Sequence, residues 1–221
     1  MSDVEEKRGN AASVITDEKV LAVLDLYNAR IADERRARVE NPALMQGIGW
    51  RDTQLLTVGE EVGILINIIA KSLEKPRILE IGTSYGYSGI WLAEAARATG
   101  GRLITLELHD YKSNHAREMA ERAGLADHVD FLVGDAVDLI GSLPGTFDLI
   151  LLDLWKDMYV PCLEAFYPRL NPGAIIIADN MIFPGGPEVA RYGRAVREKA
   201  GITSVLLPVG QGIEISRYEP G

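Results

Sequence analysis

The 221-residue sequence predicts an α/β fold: an open, mostly parallel sheet with helices on both faces and one reversed strand. Three observations carry this. From residue 77 onward, short apolar runs alternate with amphipathic stretches of helical spacing. Two of the runs, Leu149-Ile150-Leu151-Leu152 and residues 174–178, are apolar throughout, as strands buried on both faces require. The last two runs are joined only by Val209-Gly210-Gln211, which is too short for a parallel crossover and so reverses the final strand.

Taken in order, residues 1–14 read as a flexible tail and residues 15–221 as one domain, with 15–56 forming an N-terminal helix and lid region. Val20, Leu21, Val23, Leu24, Leu26, Tyr27 and Ile31 recur at helical spacing over 17–38, a segment that can cover its own sheet or a second subunit. Pro42, Gly47 and Gly49 mark a loop over 41–54, and 58–73 is again helical. Strands are expected at Arg77–Ile81, Arg102–Glu107, Val129–Val133, 147–153, 174–179, 204–208 and 212–218. Helices are expected at 88–98, 111–123, 136–140, 160–170 and 188–200.

The apolar share of 47% is enough for a sizeable core, and the net charge of −9 with no basic block argues against a nucleic-acid partner. Cys162 is the single cysteine, so an internal disulfide is excluded and a small buried side chain is the plain reading. The polar start lacks a signal-peptide core and no run of 18 apolar residues is present. The expectation is a cytoplasmic protein with no membrane span, monomeric or homodimeric.

The strand ending at Ile81 runs into Gly82-Thr83-Ser84-Tyr85-Gly86-Tyr87-Ser88 and then a helix. Such a turn lets a ligand approach the backbone at the carboxyl edge of the sheet. The spacing is G-x-x-x-G without a third glycine, which argues against a dinucleotide-dependent oxidoreductase. Glu107 ends the next strand, where a carboxylate can accept both hydroxyls of a ribose. Gly134-Asp135-Ala136 ends the third, at the edge of an adenine pocket, although Asp135 can equally cap the following helix. Glu80 to Ser88, Glu107 and Gly134 to Ala136, in this order, resemble the class I S-adenosylmethionine-dependent methyltransferases. The resemblance implies a Rossmann-like fold with a seven-stranded, mostly parallel sheet.

At the other half of the same edge, Asp153 closes strand four, and Asp179 and Asn180 close strand five. Their oxygens suit a hard cation such as Mg²⁺, leaving positions for a bidentate diol and a water. Two adjacent carboxylates also repel unless a positive group lies between them. Lys156, three residues past Asp153, is a plausible general base, its ammonium destabilised beside a dication. Glu214 can accept a second hydroxyl, and Trp155 offers a flat apolar face.

Asp153-Leu154-Trp155-Lys156-Asp157-Met158-Tyr159 and Ala178-Asp179-Asn180-Met181-Ile182-Phe183-Pro184-Gly185 resemble catechol O-methyltransferases, a similarity running from about Leu56 to Tyr218. The resemblance implies a metal held by Asp153, Asp179 and Asn180, with Lys156 as base and Asn180 and Glu214 against the substrate diol. It implies cofactor contacts from Val58, Glu80, Ser88, Glu107, Leu108, Ala136 and Trp155, with Gly82 to Tyr87 beneath the cofactor and Pro184 walling the ring. Leu154 and Ala136 depart from the animal enzymes, where polar residues stand; Trp155 departs from many bacterial ones, which carry Asp. Residues 1–50 match poorly, and Met45, Trp50 and Arg51 lack counterparts. The resulting expectation is metal-dependent methyl transfer from S-adenosylmethionine to a catechol-like small molecule. The alternatives are a metal-independent methyltransferase of the same fold and a non-catalytic cofactor-binding module.

Overall fold

The computed structural model describes residues 11, 14–41 and 52–221. Met45, Trp50, Arg51 and most of the expected tail and 41–54 loop lie outside the described residues. Helix α1 (Glu18–Glu40) starts where Asp17 accepts the backbone N–H groups of Lys19 and Val20. Ahead of it, Ala11 is buried and donates its N–H to Glu60, so the chain is already anchored inside the stretch read as tail.

Seven strands form one sheet in the order β3-β2-β1-β4-β5-β7-β6. They are β1 (Arg77–Ile81), β2 (Arg102–Glu107), β3 (Val129–Val133), β4 (Phe147–Leu152), β5 (Leu170–Ala178), β6 (Ile202–Leu207) and β7 (Ile213–Tyr218). β7 alone runs opposite to the other six strands, because the short hairpin from β6 reverses it. Alternate side chains of β4 serve two cores: Leu149 and Leu151 face one layer, Ile150 and Leu152 the other. The first layer holds α1, α2 (Glu60–Lys71), α3 (Tyr87–Thr99) and α4 (Asp110–Arg122); the second holds α5 (Ala136–Ser142), α6 (Tyr159–Phe166) and α7 (Pro187–Glu198).

Strand β6 begins at Ile202 rather than at 204, and the boundary before β5 differs most from the sequence reading. The helix expected to reach 170 ends at Phe166, and β5 begins at Leu170 rather than at 174. Pro168 sits in a short 3₁₀ turn that stops the helix. Residues 171–174 then bulge between the pairs Phe147–Leu170 and Leu149–Ile175, which accommodates Pro172 inside a central strand.

The chain leaves β1 toward β2 and β3, then crosses back to β4 on the other side of β1. The carboxyl ends of β1 and β4 therefore flank the point where the winding reverses, the place where an α/β sheet opens a crevice. Backbone bonds hold the edge in line: Asp153 N–H to Ile81 O at 3.0 Å, Asp179 N–H to Leu152 O at 3.1 Å, and Gly134 N–H to Glu107 O at 2.9 Å.

Candidate active site

The glycine turn after β1 is shaped by close packing. Gly82 has φ +106°, and a Cβ there would run into the Asp153 carbonyl oxygen. The turn is tied to β2 by Glu107, whose carboxylate accepts the backbone N–H groups of Ser84 (2.8 Å) and His109 (3.0 Å). These two bonds orient the carboxylate and leave further acceptor capacity for a ligand.

Beneath the turn, Glu80 is fully buried. Thr105 Oγ1 donates to its Oε2 at 2.5 Å and lies 2.5 Å from Thr83 Oγ1, while Glu80 Oε1 has no partner among the described residues. Burial pushes the carboxyl up to about 7, against the hydrogen bonds from Ser88 and Thr105 that favour its ionised form. The void beside it, lined by Glu80, Thr83, Gly86, Gly89 and Thr105, measures about 10 Å³, space for one water molecule at most.

The other expected cofactor residues divide by environment. Leu108 and Trp155 stand exposed at the rim, and Ala136 is half-buried. Val58 is buried in the core, and so is Tyr87, packed edge-on against Tyr27 at 5.6 Å. Tyr85 turns toward the N-terminal region: its hydroxyl donates to Asp52 O at 2.9 Å and the Arg30 guanidinium lies 4.4 Å over its ring. Asp135 caps α5, its Oδ1 accepting from Val137 N–H (2.9 Å) and Asp138 N–H (3.2 Å).

At the ends of β4 and β5 the expected residues come together. Lys156 Nζ lies 3.2 Å from Asp153 Oδ1 and 2.6 Å from Asn180 Oδ1. It also donates to Tyr159 Oη at 2.6 Å, and Tyr159 donates onward to Asp179 O at 2.9 Å. Asp179 has no exposed surface, and neither of its carboxylate oxygens has a hydrogen-bond partner among the described residues. Burial and then the negative charge of Asp153 push its carboxyl up to about 7. Asn180 adopts a left-handed backbone, φ +58°, which asparagine tolerates better than most residues. Its amide donates to Gln211 Oε1 at 2.7 Å.

Two members of this cluster were not singled out from the sequence. Tyr159 follows Lys156 at helical spacing, a signal present but unused. Gln211 arrives only through the β6–β7 hairpin, which ties it to the loop after β5 by bonds from Ile182 N–H (3.0 Å) and Phe183 N–H (2.8 Å). Glu214 has partners other than the expected diol. It pairs with Ala178 in the sheet register, yet its side chain lies on the α7 face, fully buried, bound by Arg197 at 2.6 Å and by Ser204. Pro184 is exposed beside Ile182 and Phe183, so an apolar rim flanks the cluster.

Among the described residues no group of three or more His, Cys, Asp or Glu is arranged to hold a metal. The cluster offers two carboxylates and one amide oxygen, a donor set for a hard cation rather than for zinc or copper.

Residues 79–181 match a family described as "Methyltransferase domain". Catechol O-methyltransferase of Mycobacterium tuberculosis is 36% identical over 151 residues, 66% of this chain and 68% of that protein. The catechol O-methyltransferase of Mus musculus is 33% identical over 178 residues, 75% of this chain and 67% of that protein. The chain belongs to the class I S-adenosylmethionine-dependent O-methyltransferases. A cofactor-bound structure of Rv0187 from MTB superposes with a TM-score of 0.75 at 26% identity, over 99% of this chain and 97% of that one. The O-methyltransferase TomG of Streptomyces achromogenes, solved with S-adenosylmethionine, reaches 0.73 at 24% identity over 99% of this chain and all of that one, a likeness of fold. In this O-methyltransferase the glycine turn and the Lys156 cluster thus share the carboxyl edge of the sheet, where open α/β sheets bind their ligands.

Proposed function

We propose that this O-methyltransferase moves the methyl group of S-adenosylmethionine to one hydroxyl of a catechol-like vicinal diol with the help of a divalent cation, Mg²⁺ being the best match. The observation that carries the reading is Asp179: a buried carboxylate with two partnerless oxygens, beside Asp153, Asn180 and Lys156. A buried carboxylate is costly unless something positive completes it. Asp153, Asp179 and Asn180 fit the role of cation ligands. The chemistry a cation supplies there is charge stabilisation of an ionised hydroxyl.

The remaining work falls to the chain. Glu107 accepts the ribose hydroxyls, with Glu80, Gly82 to Ser84 and Ser88 beneath the donor and Leu108, Ala136 and Trp155 around its base. Lys156 Nζ takes the proton of the attacking hydroxyl, and Tyr159 and Asn180 hold Nζ on the Asp153 side of the cluster. Ile182, Phe183 and Pro184 form the apolar rim that seats the ring. Placing the oxygen in line with the sulfonium methyl supplies most of the acceleration. Glu214, engaged by Arg197 and Ser204, is not assigned to the diol here.

A metal-independent reading has one observation in its favour: Lys156 already contributes a positive charge between Asp153 and Asn180. One assay separates the two. Methyl transfer to a panel of catechols and matched mono-phenols is measured in excess chelator and after adding back Mg²⁺. Turnover of the diols alone, lost in chelator and restored by Mg²⁺, is expected. Full activity in chelator, or equal activity on mono-phenols, overturns the metal reading.

A further inference from the structure

Asn180 carries a side chain that can be turned end for end with almost no change of shape. Its amide presents an oxygen on one side and an NH₂ on the other, and only the oxygen suits a positive charge. In the structure Oδ1 faces Lys156 Nζ at 2.6 Å, while Nδ2 donates to Gln211 Oε1 at 2.7 Å. The two contacts are linked. An ammonium has hydrogens to give and no lone pair to offer, so the Asn180 atom that meets Lys156 is the oxygen. The NH₂ is then turned to Gln211, which answers with its own oxygen.

Gln211 is delivered to this place by contacts that do not involve its side chain. It stands half-buried on the β6–β7 hairpin. Its backbone carbonyl accepts from Ile182 N–H (3.0 Å) and Phe183 N–H (2.8 Å), and the carbonyl of Gly212 accepts from Met181 N–H at 2.8 Å. Gly210 lies against Val62 of α2 and Gly212 against Ile182, each too close to leave room for a Cβ. The hairpin is thus wedged between α2 and the segment that directly follows Asn180.

We propose that Gln211 is a positioning residue: its amide oxygen locks the Asn180 side chain with Oδ1 turned to the cation and to Lys156. The inference rests on the proposed function and extends it to a residue outside the ligand set. Without the Gln211 oxygen, Nδ2 loses its acceptor and the flipped amide becomes competitive, which sets an N–H dipole against the cation.

The test uses Gln211→Met, which keeps the length and removes the acceptor, and Gln211→Glu, whose ionised carboxylate only accepts. Both keep the backbone bonds of residue 211. Mn²⁺ affinity is measured by electron paramagnetic resonance on the protein with S-adenosylhomocysteine and no acceptor substrate. Gln211→Met is expected to weaken Mn²⁺ binding at least ~10-fold, the usual loss when a partner of a metal ligand is removed. Gln211→Glu is expected to bind at least as tightly as wild type, and S-adenosylhomocysteine affinity to stay unchanged in both. Mn²⁺ affinity that is unchanged in Gln211→Met, or that falls as far in Gln211→Glu, overturns the assignment. So does a parallel loss of S-adenosylhomocysteine binding, which marks a role in holding the fold. If the wild type takes up no Mn²⁺, the metal reading fails separately, and the metal-free ¹⁵N–¹H spectrum decides the positioning. There the Asn180 NH₂ pair, identified by its absence in Asn180→Asp, is expected to exchange with solvent about tenfold more slowly in wild type and Gln211→Glu than in Gln211→Met. Equal exchange in all three overturns it.

Discussion

At Asp179 the proposed function is set against stability. Its carboxyl is raised to about 7 by burial and by Asp153, against the weaker pull of the Asn180 backbone N–H and the Lys156 charge, so above neutral pH the unliganded protein must hold a buried ionised group that no side chain hydrogen-bonds. Asp179→Asn removes that charge with almost no change of shape. Turnover is expected to fall at least ~100-fold, since even the outer partners of metal ligands typically cost 10–100-fold. Affinity for S-adenosylhomocysteine, measured by calorimetry, should change little. At pH 8 in chelator, the same variant should unfold at a higher urea concentration than wild type. A variant that keeps its turnover, or one destabilised in chelator, contradicts this account. The type and spacing of Asp153, Lys156, Asp179 and Asn180 were legible in the sequence. Their convergence was not, because it depends on β4 and β5 lying in register. The same limit explains Glu214: its place in the hairpin was readable, but which face of β7 it occupies decides whether it meets the diol or Arg197.

At the scale of the element, α1 is the informative case. Its apolar spacing was equally compatible with covering its own sheet or a second subunit. In the structure Val20, Leu21, Val23, Leu24 and Tyr27 are buried within the same cluster as Ile90 and Trp91 of α3. Tyr27 Oη also donates to Tyr85 O at 2.6 Å, fastening the helix to the glycine turn. Leu24→Ala should therefore destabilise the protein by about 2–5 kcal/mol in urea denaturation, the usual cost of emptying a core site. If the helix served mainly as a contact with another subunit, the same change would shift sedimentation behaviour and leave the unfolding midpoint concentration-dependent instead. The early start of β5 belongs at this scale too. Proline and glycine at 172 and 173 are rightly read as breakers, and only the partner strand, by tolerating a bulge, makes a strand through them.

For the molecule as a whole, Glu80 makes stability depend on pH in a direction opposite to that of a salt-bridged carboxylate. Its folded-state value of about 7 exceeds the ordinary 4.5, so the folded protein holds the proton more tightly than the unfolded chain does. The associated stability is fully present below about pH 4.5 and is lost as pH rises through 7. Asp179 acts in the same sense. Between pH 5.5 and 8, in chelator, the wild-type unfolding midpoint is expected to fall, and to fall less steeply in Glu80→Gln. An identical slope in both proteins would show that Glu80 does not hold the proton.

The sequence by itself determined the layered α/β architecture, the reversed last strand, the glycine turn after β1 and the residue types of the cluster. These follow from local periodicity, from the length of one hairpin loop and from glycine spacing, all of which are written along the chain. Tertiary structure alone decided which groups share a space: Lys156 against Asn180, Gln211 against the loop after β5, and Asp179 buried beside Asp153 with no side-chain hydrogen bond. The physical reason is that burial and electrostatic pairing act across strands and between layers. The energy of a charge is set by what surrounds it in space and not by what precedes it in the chain.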